Sequence, residues 1–323
     1  MNSKPILIVA GEPNSIFLEI LFKIYKTKKK IKKPLILIAS YNLLKLQMKK
    51  LNFKRKIKLL NQSKLKDYKL DNKSINLIDI DYNQKKAFQQ ISNKSNNYIK
   101  NCFNTALSLI KKGISNKFIN GPISKKYFLG KKYLGITEYL AKKTNKKKFA
   151  MLIFNQQLSV SPITTHLPIN DVSKKLNKTL IKEKIILIDN FYKKIFGFKP
   201  VIAVTGLNPH CESIKKYNED EKIVKPAVKN LSKLGLKISG PYAADTIFLK
   251  KNRSKFNVIV GMYHDQVLAP IKTLTEYDAI NMTLGLPFLR ISPDHGPNEN
   301  MLGKNLSNPQ SLFNAINFLD KIK

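Results

Sequence analysis

The stretch "PILIVAGEPNSIFLEILFKIYK", Pro5 to Lys26, sets the pattern for the whole chain. Its opening, "PILIVAG", is an unbroken apolar run closed by glycine, the signature of a strand buried on both faces. From Ser15 onward "SIFLEILFKIYK" reads as a helix. A strand followed closely by a helix is the repeating unit of an α/β protein.

The unit recurs along the sequence. "LILIAS" (35–40) precedes helical "YNLLKLQMKKL" (41–51), and "INLIDI" (75–80), "FINGPIS" (118–124), "FAMLIF" (149–154), "PVIAVTG" (200–206) and "FNVIVGM" (256–262) are further strand candidates. Helical stretches lie around 96–112, 137–144, 171–196 and 219–234. This alternation predicts a largely parallel sheet. The lysine-rich segment 27–33 and the region 61–74 read as surface loops. No internal repeat and no Gly/Ser linker interrupts the chain, which points to two lobes sharing a sheet.

Composition narrows the class. The 323 residues suffice for one large or two medium domains. A formal charge of +38 first suggests a nucleic-acid partner. Against that, arginine occurs only at Arg55, Arg253 and Arg290, and the lysines are spread along the whole length among isoleucine and asparagine. No RNP-type aromatic box, zinc-finger spacing or basic-region heptad accompanies them. The expectation is therefore no nucleic acid, with the positive field drawing small anionic substrates. Cys102 and Cys211, the only cysteines, describe a reducing compartment. The first apolar stretch is too short for a signal peptide, and no run approaches a membrane span. A cytoplasmic protein without a membrane partner is expected.

Candidate chemistry gathers at strand ends, where open α/β sheets bind their ligands. His166, His210, His264 and His295 are the only histidines, and each follows a strand-like run. A lone histidine is more often a satisfied core residue than a ligand, but four in strand-end turns are harder to dismiss. Their long separations exclude a local metal motif. Asp245 follows the Gly240-Pro241 turn, Lys125 follows a strand, and Thr137 and Glu138 sit at a helix start, where capping explains them equally well. Lys272 taken alone reads as surface charge. Arg290, inside the apolar run "LGLPFLRISP", needs an anionic partner for its guanidinium.

Together "TTHLPINDV", "GLNPHCE", "GPYAADTIF", "GMYHDQVLAPIK" and "INMTLGLPFLRISPDHG" resemble the 4-hydroxythreonine-4-phosphate dehydrogenase family of vitamin B6 synthesis. The resemblance extends over nearly the whole chain, from "GEP" through "GPISK" to the tail "DHGPNENMLGKNLSNPQS". It implies an isocitrate/isopropylmalate dehydrogenase-like fold of two αβα lobes around a largely parallel sheet, with the active site in the cleft between them. Residues 1–130 with 295–323 would form one lobe, and 131–294 the other. It implies a homodimer, NAD or NADP as cofactor, and one divalent ion (zinc, magnesium or cobalt) held by His166, His210 and His264. Thr137, Lys272, Asn281 and Arg290 match substrate contacts, and His295, Gly296 and Asn298 match the cofactor loop; Asp245 and Lys272 are the candidates for proton handling.

The reaction implied is oxidation of the C3 hydroxyl of 4-phosphooxy-L-threonine, followed by decarboxylation to 3-amino-2-oxopropyl phosphate. Nicotinamide use rests on the resemblance, since no G-x-G-x-x-G occurs. Two departures stand out. The family's Gly-His-Thr-Glu is here Gly135-Ile136-Thr137-Glu138, and "GEPNSIF" lacks the glycine that usually follows its isoleucine. A related acid, 4-phospho-threonate or 4-phospho-erythronate, is the closest rival substrate. A metal-dependent phosphohydrolase is a more distant reading, because its two-metal form needs more carboxylates than these motifs offer.

Overall fold

The computed structural model describes residues 4–27, 30–130, 132–213, 217–293 and 295–322. Two positions of the 27–33 loop segment, 28 and 29, lie outside the described residues. The chain divides into two compact units, residues 1–136 with 287–323, and residues 137–286. These bounds place Arg290, expected in the second lobe, in the first unit.

Among the described residues twelve strands appear in chain order. They are β1 (Ile6–Val9), β2 (Leu35–Ala39), β3 (Ile57–Leu59), β4 (Ile75–Asp79), β5 (Lys117–Asn120), β6 (Ala150–Phe154), β7 (Ser159–Pro162), β8 (Ile202–Thr205), β9 (Ile238–Tyr242), β10 (Val258–Gly261), β11 (Ile280–Leu284) and β12 (Leu289–Pro293).

In the first unit the strands run β3-β4-β2-β1-β5-β12, every pair parallel. β1 and β2 are buried along their full length, which is why they read as continuous apolar runs rather than alternating ones. Helix Phe17–Lys26 turns Phe17, Ile20, Leu21 and Ile24 inward at helical spacing. Its Glu19 is buried as well, and accepts the Ser307 backbone N–H at 2.7 Å, so the C-terminal segment is fastened to the first helix. Helix Gln310–Lys321 then packs on β1, β5 and β12.

In the second unit the order is β11-β6-β7-β10-β8-β9. The run β7-β10-β8-β9 is parallel, and β6 is antiparallel to both of its neighbours. Helix His264–Thr275 packs on β7 and β10 and inserts Val267, Leu268 and Ile271 into a core with Val160, Ala203 and Ile259. No helix among the described residues is long and apolar enough to cross a membrane.

Candidate active site

The parallel pairing of β7, β10, β8 and β9 decides where the chemistry lies. Pro162 is level with Gly261, Val260 with Val204, and Thr205 with Tyr242, so the carboxyl ends of the four strands form one edge. Past those ends come His166, His264, His210 and Asp245 respectively. Three of the four histidines and one acid therefore follow adjacent strands.

His166 and His210 both adopt φ +55°, a left-handed conformation uncommon for side chains other than glycine and asparagine. The ring of His166 lies 5.5 Å from that of His264, inclined by 38°. His264 opens its helix half-buried, and its Nδ1 is 2.6 Å from Asp265 Oδ1. A neutral ring that donates there keeps Nε2 as a lone-pair donor, the tautomer a metal requires. His210 is exposed in the Pro209–Cys211 turn. Among the described residues no three His, Cys, Asp or Glu side chains close around a single point. The structure thus joins two of the expected ligands directly and sets the third at the end of the neighbouring strand. As a donor set, imidazoles following adjacent strand ends fit a borderline divalent ion such as zinc or cobalt better than magnesium, which favours oxygen.

Two carboxylates brace the histidine turns. Asp220, fully buried, accepts the backbone N–H of Leu207 at 2.6 Å and of Asn208 at 3.0 Å, and the Asn208 amide at 3.1 Å. It fastens the approach to His210. Glu138 Oε1 accepts the Thr165 hydroxyl at 3.1 Å, next to His166. In the sequence Asp220 is one acid of a polar stretch, and only its three long-range donors distinguish it. Asp245 is exposed in the short helix Ala244–Ile247, which packs on the Pro209–Cys211 turn. The Cys211 thiol is pushed up first by burial, then by Asp220, with Asp245 and Glu212 adding smaller pushes.

The expected substrate contacts fall in three places. Thr137 is buried and its hydroxyl meets that of Thr283 at 3.2 Å, an interaction that a capping role would not require. Asn281, two residues before Thr283 on β11, shares its face, and its Oδ1 is buried without a hydrogen bond. Lys272 is half-buried in the helix that His264 opens, about 12 Å further along the axis. In one chain it therefore stands away from His264. Arg290, on β12 of the first unit, is 1% exposed and donates through Nε to Asn120 Oδ1 at 2.8 Å.

The expected cofactor loop also belongs to the first unit. His295 Nδ1 is 2.9 Å from Gly296 O, Gly296 is exposed, and Asn298 is left-handed at φ +53°. Pro297 O accepts the Ile16 N–H at 3.2 Å, which holds this loop to the turn after β1. In that turn Glu12 is buried, and burial pushes its carboxyl up to about 7. The Asn14 N–H and the Ser95 hydroxyl, each at 3.2 Å, oppose the shift, and Glu299 adds to it. The "GEP" motif stands out in the sequence, but nothing there marks its acid as buried and perturbed.

A largely parallel α/β chain with its polar groups past the strand ends has an isocitrate dehydrogenase-like fold. The structure of isocitrate dehydrogenase from Methylococcus capsulatus matches it with a TM-score of 0.51, over 96% of this chain and 83% of that one, at 8% identity, a likeness of fold alone. The family is narrower. The family model for the pyridoxal phosphate biosynthetic protein PdxA matches residues 30–319, and the chain belongs to that family. A relative from Sulfurihydrogenibium sp. (strain YO3AOP1), named 4-hydroxythreonine-4-phosphate dehydrogenase, is 38% identical over 96% of this chain and 95% of its own length. A D-threonate 4-phosphate dehydrogenase from Salmonella typhimurium is 30% identical, with 92% of each chain covered. The crystal structure of 4-hydroxythreonine-4-phosphate dehydrogenase from Klebsiella pneumoniae matches with a TM-score of 0.83 at 27% identity, covering 98% of both chains.

Proposed function

We propose that this protein oxidises the C3 hydroxyl of 4-phosphooxy-L-threonine with NAD or NADP, in vitamin B6 synthesis. The product, 2-amino-3-oxo-4-phosphooxybutanoate, loses carbon dioxide to give 3-amino-2-oxopropyl phosphate. The observation that carries this reading is the level edge of four parallel strands, followed by His166, His264, His210 and Asp245. Family membership and the dehydrogenase relatives support it.

The three histidines would hold one divalent ion, which when bound supplies a Lewis acid that lowers the pKa of the substrate hydroxyl and stabilises charge during decarboxylation. The chain's own groups do the rest. Thr137 and Asn281 hydrogen-bond the substrate, and the spare acceptor on Asn281 Oδ1 suits an ammonium or hydroxyl donor. Lys272 and Arg290 hold its phosphate and carboxylate. Asp245 or Lys272 would take the hydroxyl proton, and a bound nicotinamide would supply the acceptor for the C3 hydride. His295, Gly296 and Asn298 border the cofactor. A homodimer completes the site. The distance between Lys272 and His264 along one helix supports that assembly, because a second subunit can supply the missing group.

The nearest rival keeps fold and chemistry but takes 4-phospho-threonate or 4-phospho-erythronate. Ile136 favours it, since the side chain at this position cannot hydrogen-bond a polar substrate group, and D-threonate 4-phosphate dehydrogenases are among the relatives. One assay separates the two. Purified protein with NAD, a divalent metal and each phosphate in turn should form reduced nicotinamide fastest with 4-phosphooxy-L-threonine. A preference for an acid lacking the amino group would overturn the substrate assignment.

A further inference from the structure

Gln266 lies two residues after His264 and has no part in the reaction as described above, yet its side chain joins two of the histidine turns. Its Oε1 accepts the Met262 backbone N–H at 2.6 Å and the Thr205 hydroxyl at 2.8 Å. Its Nε2 donates to the Gly206 carbonyl at 2.7 Å. The partners fix which way the amide points, because the oxygen meets two donors and the nitrogen meets a group that only accepts. Met262 follows β10 and leads to His264, while Thr205 ends β8 and Gly206 leads to His210. The third turn hangs from the same residue, since the hydroxyl and N–H of Thr164 both donate to Met262 O, at 2.7 and 3.1 Å.

The backbone makes room for this arrangement. A Cβ on Gly261 would fall 3.0 Å from Gln266 Oε1 and 2.5 Å from Val267 Cγ1. One on Gly206 would fall 2.7 Å from Cys211 Sγ and 3.1 Å from Asp220 Oδ1. A side chain at either position would force Val267 or Cys211 to shift, so glycine suits the strand ends where the amide and the returning His210 turn approach them.

We infer that Gln266 is a positioning residue: it holds the ends of β8 and β10 and the turns leading to His210 and His264 in fixed relation, and thereby sets the metal affinity of the histidine set. The tether stands on its own hydrogen bonds, while its effect on affinity rests on the proposed metal site.

Two variants test it. Gln266→Glu keeps the shape and still accepts from Met262 and Thr205, but it opposes a carboxylate oxygen to the Gly206 carbonyl. Gln266→Leu removes all three bonds. In hydrogen exchange on metal-free protein, Gln266→Glu should speed exchange in 206–212 by roughly two- to ten-fold, the worth of one hydrogen bond, and leave 258–264 as in the wild type. Gln266→Leu should speed both segments, and neither variant should alter β7. Zinc titration should show Gln266→Leu binding about 10- to 100-fold more weakly than wild type, the usual effect of removing a group that orients ligands. Exchange that rises uniformly across the unit, or not at all, would overturn the tether. Wild-type zinc binding matched by Gln266→Leu would overturn the role in affinity alone. Wild-type protein that takes up no zinc would overturn the metal site, and that effect with it, whereas the exchange result would still decide the tether.

Discussion

The imidazole of His166 stands 5.5 Å from that of His264, and only the pairing of β7 with β10 brings the two together, because 98 positions separate them in the chain (264 − 166). Rings at this distance offer two nitrogens to one cation.

Replacing His166, His210 or His264 by alanine should therefore lower turnover at least about a hundred-fold, with the thermal midpoint shifted by only a few degrees. Chelation should do the same and be reversed by zinc or cobalt. His295→Ala, on the cofactor-side loop, should chiefly raise the KM for NAD. Steady-state kinetics with and without added metal, beside melting curves, check all of this. Full activity of metal-free protein would sink the metal-dependent mechanism.

Much of this arrangement is legible in the sequence because parallel strands buried on both faces must be apolar throughout. β1, β2, β8 and β10 are such runs, the antiparallel β6 is equally apolar, and the polar residues that follow these strands stand out. What escapes are strands whose polar groups are satisfied from a distance. β7 reads "SVSP", and Ser161 is tolerated inside because its hydroxyl donates to Met151 O at 2.6 Å, while Ser159 receives the Tyr192 hydroxyl at 2.9 Å. β9, "ISGPY", is hidden by its glycine and proline. Helix His264–Thr275 is masked by Pro270 and by the strand that runs into it. The expected helix 171–196 is two helices, Ile169–Lys175 and Lys178–Phe196, because the Asn177 side chain accepts the Leu180 N–H at 2.8 Å and starts the second. The level register of four strand ends, on which the site depends, has no local signal at all.

A site shared across a two-fold axis can be rebuilt from two damaged subunits. If Lys272 of one subunit completes the histidine set of the other, Lys272→Ala and His264→Ala proteins should each be nearly inactive. Co-expressed in equal amounts, half of their dimers are mixed, and each mixed dimer has one intact site. Activity should then recover to about a quarter of wild type. Recovery that stays at the level of the single variants would assign both groups to one chain, and an active monomer in light scattering would contradict the shared site.

Glu12 gives the fold a pH dependence of predictable sign. Its folded value of about 7 lies above the ordinary 4.5, so the folded state holds the proton more tightly than the unfolded chain. Its contribution to stability is therefore greatest below pH 4.5 and is lost as pH rises toward 7. The loss has a ceiling of roughly 3 kcal/mol. Glu12→Gln keeps an acceptor for the Asn14 N–H and cannot ionise. Urea unfolding at pH 5 and pH 8 should show the wild type losing stability relative to Glu12→Gln across that interval. Parallel curves would mean that Glu12 is not buried as a neutral acid.

Ile136 bears most directly on substrate. It opens helix Ile136–Lys143 only partly buried, beside Thr137, at the position where the resemblance places a histidine. A hydrogen bond to a charged group is worth about 1.5–3 kcal/mol, roughly ten- to a hundred-fold in affinity. If the pocket receives 4-phosphooxy-L-threonine with one contact missing, Ile136→His should lower the KM for that substrate by up to that factor and leave the KM for NAD unchanged. Lys125, in the turn after β5, would shrink the gain if it already supplies a charge to the phosphate. If the pocket has been reshaped for a phosphorylated acid, the same substitution should bring no gain with the amino substrate and should weaken the true one, because an imidazole would occupy space that the isoleucine leaves apolar. Kinetics of both proteins on the threonine, threonate and erythronate phosphates distinguish the cases. A lowered KM confined to 4-phosphooxy-L-threonine would mark Ile136 as a lost contact in an otherwise ordinary pocket.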